Sequence, residues 1–135
     1  MTDSIVALCG FAGWTVALIF ILVNVRLLNS VSTGKALNSF SPAGGDLDGF
    51  GQRVTRAHLN CLEVLPVAAA VILGAAVSGN NAITDAWAMI FLWARIAQSV
   101  VHLVGTSVPL VLIRATLFTV QLVILAVWIY KLLNV

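Results

Sequence analysis

Residues 5–25 of the chain read IVALCGFAGWTVALIFILVNV, a run of 21 residues without a charged side chain. At a rise of 1.5 Å per residue, a helix of this length crosses about 30 Å, the thickness of the hydrocarbon core of a bilayer. Asp3 precedes the run, no basic segment lies in front of it, and it is long for a cleavable signal peptide. The run therefore predicts a permanent membrane-spanning helix.

The composition of the whole chain supports the same class of protein. Seven of the 135 residues are Lys or Arg and five are Asp or Glu, so 9% are charged, against roughly 25% in an average soluble domain. Apolar residues make up 61%, and the mean hydropathy is +1.07. Disordered chains are poor in apolar residues, and a nucleic-acid-binding surface needs more basic charge than a net +2 without a basic run. The composition thus predicts a single small integral membrane domain.

Four apolar segments account for nearly the whole chain. The predicted spans cover residues 5–28, 56–78, 82–104 and 109–133, with a long loop over residues 29–55 rich in Gly and Ser. These runs are continuous and show no alternation of period two, which argues against a β-barrel. The sequence predicts an all-α fold, an integral membrane four-helix bundle over residues 1–135.

Basic residues lie mostly on one side of the predicted membrane. The side that carries the long loop has Arg26, Lys35, Arg53, Arg56 and Arg114, whereas the opposite side has Lys131 alone. Cytoplasmic segments of membrane proteins carry an excess of Lys and Arg. The long loop is therefore predicted to be cytoplasmic, with both termini on the opposite side.

The second span begins with a polar sequence, RAHLNCLE at residues 56–63. At 100° per residue, Arg56, Asn60 and Glu63 fall within about 60° of one another on one helix face, and His58 points roughly the opposite way. A charged side chain inside a membrane costs about 2.5 kcal/mol or more, so such residues are candidates for function.

The third span carries a second polar stripe, formed by Arg95, Ser99 and His102 with Gln98 at its flank. Because the two spans run in opposite directions, Glu63 and Arg95 are predicted at matching depth, where they would neutralise each other if the stripes face one another. Four arginines, at positions 26, 56, 95 and 114, outnumber the one intramembrane carboxylate. This surplus predicts a site for an anionic ligand with carboxylates or phosphates, which arginine binds in bidentate fashion.

Other interpretations of the polar residues stay open. The cluster is alternatively a buried structural network that fixes helix register, or lipid phosphate binds Arg26 and Arg114. Haem ligation by His58 and His102 is disfavoured because His58 faces away from the polar stripe. Proton-coupled export of cations through Glu63 is disfavoured because the arginines would repel a cation. No spacing typical of a metal site or of a nucleophile–base–acid arrangement occurs.

Several single residues give further expectations. Cys9 and Cys61 are predicted near opposite membrane surfaces, too far apart for a disulfide. Both are expected to be small core residues, with a reactive thiol at Cys61 as the alternative. Asp85 is predicted to cap the third span. Trp87 and Trp128 are expected to anchor the chain at the outer interface.

The segment RVTRAHLNCLE at residues 53–63, followed by Pro66, resembles the signature of the MAPEG family, membrane-associated proteins in eicosanoid and glutathione metabolism. The signature has the form R-A-x-x-N-x-x-E at the start of the second of four helices. The resemblance covers essentially the whole chain and extends to Arg26, Arg95, Ser99, His102 and Arg114.

The resemblance implies a homotrimer that binds glutathione between subunits near the cytoplasmic face. Family members conjugate glutathione to lipophilic electrophiles, reduce lipid peroxides, or convert eicosanoid intermediates, and others bind without catalysis. The implied glutathione-binding residues are Arg26, Arg56, Asn60, Glu63 and Arg95. Arg114 matches the position expected to stabilise the glutathione thiolate. We expect His102 or Ser99 to donate a hydrogen bond to that thiolate, so the candidate catalytic residues are Arg114, His102 and Ser99.

The sequence departs from the family pattern at several positions. His102 stands where many members have Tyr, Gln98 where His is frequent, Leu59 where a basic residue is frequent, and Cys61 where Asp is common. The spacing from His102 to Arg114 is longer by about three residues. The resulting hypothesis is a glutathione transferase or peroxidase whose co-substrate is a lipophilic small molecule or lipid from the bilayer, without metal or nucleic acid. The alternative is a non-catalytic membrane protein of the same fold.

Overall fold

The computed structural model describes residues 1–135 and contains four long α-helices. They are α1 (Asp3–Thr33), α2 (Gly49–Val77), α3 (Asn81–Val104) and α4 (Val108–Leu133), with one short 3₁₀ turn at Leu37–Ser39. All four helices are long and apolar enough to cross a membrane. The predicted all-α, four-helix membrane architecture is confirmed.

The helices next to the long loop extend beyond the predicted spans. Since α1 continues to Thr33 and α2 begins at Gly49, the connection between them is residues 34–48 rather than 29–55. Gly34 ends α1 in the left-handed region at φ 73°, where its backbone N–H donates to the Ser30 carbonyl at 2.9 Å. Glycine takes this conformation without the steric cost that a Cβ would bring.

The core forms where α1, α2 and α3 pack together, with α4 packed mainly on α3. Phe91 of α3 lies between Phe11 of α1 at 6.1 Å and Trp128 of α4 at 5.5 Å, measured between ring centroids. On α2 the buried positions include Ala57 and Ala68, small residues that let helices approach closely. Because α4 makes little contact with α2, an opening remains between these two helices.

Trp128 and Asp85 differ from the sequence prediction. Trp128 is 1% exposed and belongs to the core, so its role as an interface anchor is wrong, whereas Trp87 is 52% exposed. Asp85 accepts hydrogen bonds from the backbone N–H of Ser4, at 2.9 Å, and from the Ser4 hydroxyl. It therefore caps the N-terminus of α1, whose first amides have no partner within the helix, and not its own helix α3.

The two cysteines are free, with Cys9 exposed and Cys61 buried. This confirms the prediction that they form no disulfide and that Cys61 belongs to the core. The predicted core position of Cys9 is wrong, because its side chain is exposed on α1.

The α1–α2 loop is folded against the helix ends rather than extended from them. Lys35 forms a salt bridge with Asp46, whose carboxylate also accepts the backbone N–H of Ser41 at 2.9 Å. The Lys35 ammonium lies 4.8 Å from the Phe40 ring centroid, within range of a cation–π contact. Leu47 is buried against the helices. The loop thus has a hydrogen-bonded centre and an apolar anchor.

We expect the order of this loop to depend on pH through Asp46. The hydrogen bonds from Lys35 and from the Ser41 backbone hold the pKa of the Asp46 carboxyl below its ordinary value. A group with a lowered pKa in the folded state contributes above its unfolded pKa of about 3.9, and the contribution is lost as the pH falls through the folded value. Amide hydrogen exchange in residues 35–47, corrected for intrinsic rate, should rise as the pH falls from 6 to 3.

The matched variants are Asp46→Asn and Asp48→Asn, because Asp48 is exposed in the same loop and makes no side-chain hydrogen bond at the start of α2. Asp46→Asn should raise loop exchange already at pH 6 and remove its dependence on pH, whereas Asp48→Asn should behave like the unmodified chain. Equal protection in the unmodified chain and Asp46→Asn at pH 6 would contradict the proposed role of the carboxylate.

Candidate functional site

A cleft of about 260 Å³ opens between α2, α3 and α4. Its lining residues are Asn60 of α2, Gln98 and His102 of α3, and Val111, Arg114, Ala115 and Phe118 of α4. The polar side chains come from all three helices, whereas the apolar ones come from α4 alone. The gap left by the loose packing of α4 on α2 is thus a site with one polar and one apolar wall.

Arg95 lies behind the polar wall, fully buried within the helix bundle. Its Nη1 donates to Asn60 Oδ1 at 2.5 Å. The guanidinium carbon is 5.3 Å from the Phe11 ring centroid and 5.8 Å from that of Phe118. Aromatic faces attract a cation most strongly where water is excluded, so the two rings help a single amide oxygen to hold this buried charge.

The predicted ion pair between Glu63 and Arg95 is wrong for the single chain. Glu63 is exposed on the surface of α2, and the one salt bridge of the chain joins Lys35 to Asp46. Asn60 is three residues before Glu63, nearly one turn along the helix, and it takes the guanidinium that the helical wheel assigned to the carboxylate. Two residues within 60° of each other on a helical wheel can still differ in burial, as Asn60 and Glu63 do. The wheel alone does not distinguish the inward-facing position from the exposed one.

A row of side-chain amides continues from Asn60 across the bundle to α4. Gln98 Nε2 donates to Asn60 Oδ1 at 3.1 Å, and Gln121 Nε2 donates to Gln98 Oε1 at 2.9 Å. Gln121 Nε2 also donates to the Leu117 carbonyl at 2.8 Å. Sequence reasoning missed Gln121, although a lone glutamine within an apolar helix is the signal that marks an expensive buried group.

The predicted site residues divide between the cleft and its surroundings. Asn60, His102 and Arg114 line the cleft. Ser99 does not line it, because this side chain is buried behind Arg95, where its hydroxyl donates to the Arg95 carbonyl at 3.1 Å.

Two of the predicted binding residues lie on the outer surface of α2. Arg56 and Glu63 are exposed, one turn before and one turn after Asn60 on the same helical stripe. Arg26 lies elsewhere, beside the α1–α2 loop, where its Nη2 donates to the Ser41 carbonyl at 3.3 Å. The structure thus brings three predicted residues together in the cleft and leaves these three outside it.

Positive charge is concentrated around the loop-side end of the cleft. Arg53, Arg56 and Arg114 all lie within electrostatic reach of the His102 ring. Arg53 Nε also donates to the Leu103 carbonyl at 2.9 Å, which joins α2 to the last turn of α3. No carboxylate lines the cleft, so its polar wall suits a ligand group that is anionic or accepts hydrogen bonds.

One comparison with known proteins gives a match. A family model described as "MAPEG family" matches residues 4–134 of the chain. No curated protein and no solved structure matches the chain.

The bond between Arg95 and Asn60 predicts unequal effects of two substitutions. Asn60→Leu leaves a buried guanidinium without its acceptor, and we expect a loss of about 1.5–3 kcal/mol in the free energy of unfolding. Arg95→Met removes the charge together with its need for an acceptor, and we expect a change within about 1 kcal/mol, because apolar replacement of buried ions is often neutral. Unfolding in mixed micelles measures both values. An equal or larger loss for Arg95→Met would contradict this account.

Proposed function

Because the chain belongs to the MAPEG family, we propose that it binds glutathione and uses it as a co-substrate, either conjugating it to lipophilic electrophiles or reducing lipid peroxides with it. The observation that carries the proposal is the cleft itself, whose polar wall presents Arg114, His102 and Asn60 and contains no carboxylate. Glutathione is an anion with two carboxylates, one ammonium and a thiol. Such a ligand fits a site that offers positive charge and hydrogen-bond donors.

We propose that Arg114 and His102 act on the thiol. A guanidinium next to a thiol favours the thiolate, which is the nucleophilic form. The thiol gives its proton to water and the thiolate attacks the electrophilic carbon. The C–S bond forms as the bond from that carbon to the leaving group breaks, and the leaving group departs with its electron pair. His102 would donate a hydrogen bond to the sulfur, since Ser99 is buried behind Arg95 and does not line the cleft.

The apolar wall gives the co-substrate its place beside the polar group. Val111, Ala115 and Phe118 lie on α4, next to Arg114. A lipophilic molecule dissolved in the bilayer can reach such a surface sideways without crossing water. The proposed reaction therefore takes place where the two walls meet.

The remaining binding residues are proposed to act from α2 and from a neighbouring copy. Arg56 would bind a carboxylate of glutathione and Glu63 the ammonium, while Arg95 acts through Asn60 rather than by contact. The cleft, at about 260 Å³, is smaller than the roughly 300–1,000 Å³ typical of ligand pockets. A second copy would complete it and bring its own Arg26 to the ligand.

Exposed charges on α2 support this assembly. Arg56 and Glu63 are exposed on a membrane-spanning helix, and a charge that faces lipid is costly. Packing of another copy over this stripe would remove both charges from the lipid. We propose a homotrimer, as the family resemblance implies.

The second candidate is a non-catalytic membrane protein whose polar cluster is structural or binds lipid headgroups. The row formed by Arg95, Asn60, Gln98 and Gln121 is hydrogen-bonded within the chain, which is what a structural network requires. A protein of this kind would bind a lipid headgroup phosphate or no ligand at the cluster, and glutathione would not stabilise it.

A melting experiment with glutathione tests the proposal. At glutathione one hundred times its Kd, the detergent-solubilised protein should gain about 2.7 kcal/mol of stability and melt at a higher temperature. Arg114→Ala should abolish the gain and any conjugation of a chloronitrobenzene probe. Lys131→Ala removes a cation at the far end of α4 and should leave both unchanged.

The outcomes separate the candidates. Stabilisation without conjugation shows glutathione binding without turnover, whereas no stabilisation of the unmodified protein rules out glutathione binding and supports the second candidate. A mass measurement of the solubilised protein on the same sample should give three copies. A monomer that binds glutathione tightly would contradict a site shared between copies.

We also propose that the α1–α2 loop and the cleft face the cytoplasm, with both termini outside, because the basic residues concentrate near the loop. A cysteine introduced in the loop by Ser39→Cys, in a chain with Cys9→Ala and Cys61→Ala, should react with an impermeant maleimide only after the cells are opened. A cysteine at the C-terminal Asn134→Cys should react in intact cells. The reverse pattern would overturn the orientation.

A further inference from the structure

The hydrogen bonds that run from Arg95 to α4 fix, for each side-chain amide in the row, which atom donates and which atom accepts. Arg95 carries donors only, so the Asn60 atom that faces it must be the acceptor Oδ1. The Gln98 atom 3.1 Å from that oxygen must then be the donor Nε2, which leaves Gln98 Oε1 to face Gln121. At the other end the Leu117 carbonyl is an acceptor only, and it requires the same Nε2 of Gln121 that the row demands.

The direction of this row decides what Asn60 offers the cleft. Its Oδ1 is taken by Arg95 and Gln98, and its Nδ2 donates to no group of the chain. Since Asn60 lines the cleft, Nδ2 is a donor available to a ligand. This matches the donor character of Arg114 on the facing helix.

Gln98 is the neighbour that can take this donor away. It also lines the cleft, and its Oε1 is an acceptor that would compete for Asn60 Nδ2 if the amide group turned over. Gln121 prevents this, because its Nε2 occupies Gln98 Oε1 at 2.9 Å. Gln121 is itself fully buried and fixed to the Leu117 carbonyl, so it cannot follow a rotation of Gln98.

We propose that Gln121 is a positioning residue of the cleft: by holding Gln98 Oε1, it keeps this acceptor away from Asn60 Nδ2, so that Nδ2 stays free to donate a hydrogen bond to the ligand. Gln121 touches no ligand and acts only through Gln98. The assignment of the ligand's hydrogen-bond acceptor to glutathione rests on the proposed function. The orientation of the amides rests on the structure alone.

The first test uses Gln121→Met, which keeps the length of the side chain and removes the donor. Glutathione affinity, measured by isothermal titration in detergent, should fall about 3- to 10-fold, the value of one net hydrogen bond. Ile124→Val changes the packing of the same helix at a buried core position and should leave the affinity within twofold of the unmodified protein.

A second substitution separates positioning from stability. Gln98→Met removes the competing acceptor, so its addition to Gln121→Met should bring the affinity back to within about twofold of Gln98→Met alone. Because Gln98 and Gln121 are hydrogen-bonded to each other, losses that came only from a loosened bundle would not add either. The melting temperatures of the same variants separate the two accounts, because loosening would lower affinity in step with stability, whereas positioning restores affinity in the double variant whatever its melting temperature. Additive losses, or a Gln121→Met affinity within twofold of the unmodified protein, would overturn the proposal.

A spectroscopic measurement tests the row without glutathione. The side-chain NH₂ signal of Asn60 in a ¹⁵N–¹H correlation spectrum, assigned by comparison with Asn60→Asp, should shift in Gln121→Met and stay in place in Ile124→Val. An Asn60 signal that does not shift in Gln121→Met refutes the positioning role. If that signal shifts but the unmodified protein binds no glutathione, the proposed function fails while the positioning role stands.

Discussion

The hydrogen bond between Arg95 and Asn60 is the interaction on which the site depends. A guanidinium inside a membrane-spanning bundle must find an acceptor, and here the acceptor is neutral. An amide oxygen satisfies the charge less fully than a carboxylate, and the rings of Phe11 and Phe118 lie close enough to compensate in part. Because Asn60 Oδ1 accepts hydrogen bonds from Arg95 and Gln98 inside the bundle, only the Nδ2 donor of Asn60 is available to the cleft.

The same bond explains how α4 comes to form a wall of the cleft. Direct packing between α2 and α4 is slight, and the two helices are linked instead through the amides of Gln98 and Gln121. Helices linked through hydrogen-bonded side chains lie further apart than helices that pack directly through apolar side chains. Two members of the row, Asn60 and Gln98, also line this opening, so the row and the polar wall of the cleft share side chains.

The sequence was sufficient to predict the fold and only part of the site. Hydropathy and span length are set by each segment alone, so four helices follow from composition. The helical stripes marked Asn60 and His102, which line one cleft together with Arg114. They failed for Glu63, because partner choice depends on how α2 is rotated against α3, and for Gln121, because its partner lies 23 residues away on another helix. Trp128 was misplaced for the same reason, since its burial depends on the face that α4 turns to α3.

The polar residues of α2 serve two different neighbours. Asn60 turns inward to α3, while Arg56 and Glu63, one turn to either side, stay on the surface. Inside a single chain this arrangement leaves two charges facing lipid, which is a costly condition for a membrane helix. The Asn60 amide forms hydrogen bonds within the chain. The exposed charges of Arg56 and Glu63 would be removed from lipid by a second protein surface packed over them. In the proposed assembly, a ligand bound at Asn60 would lie on the boundary between one chain and its neighbour, so that assembly and binding would favour each other.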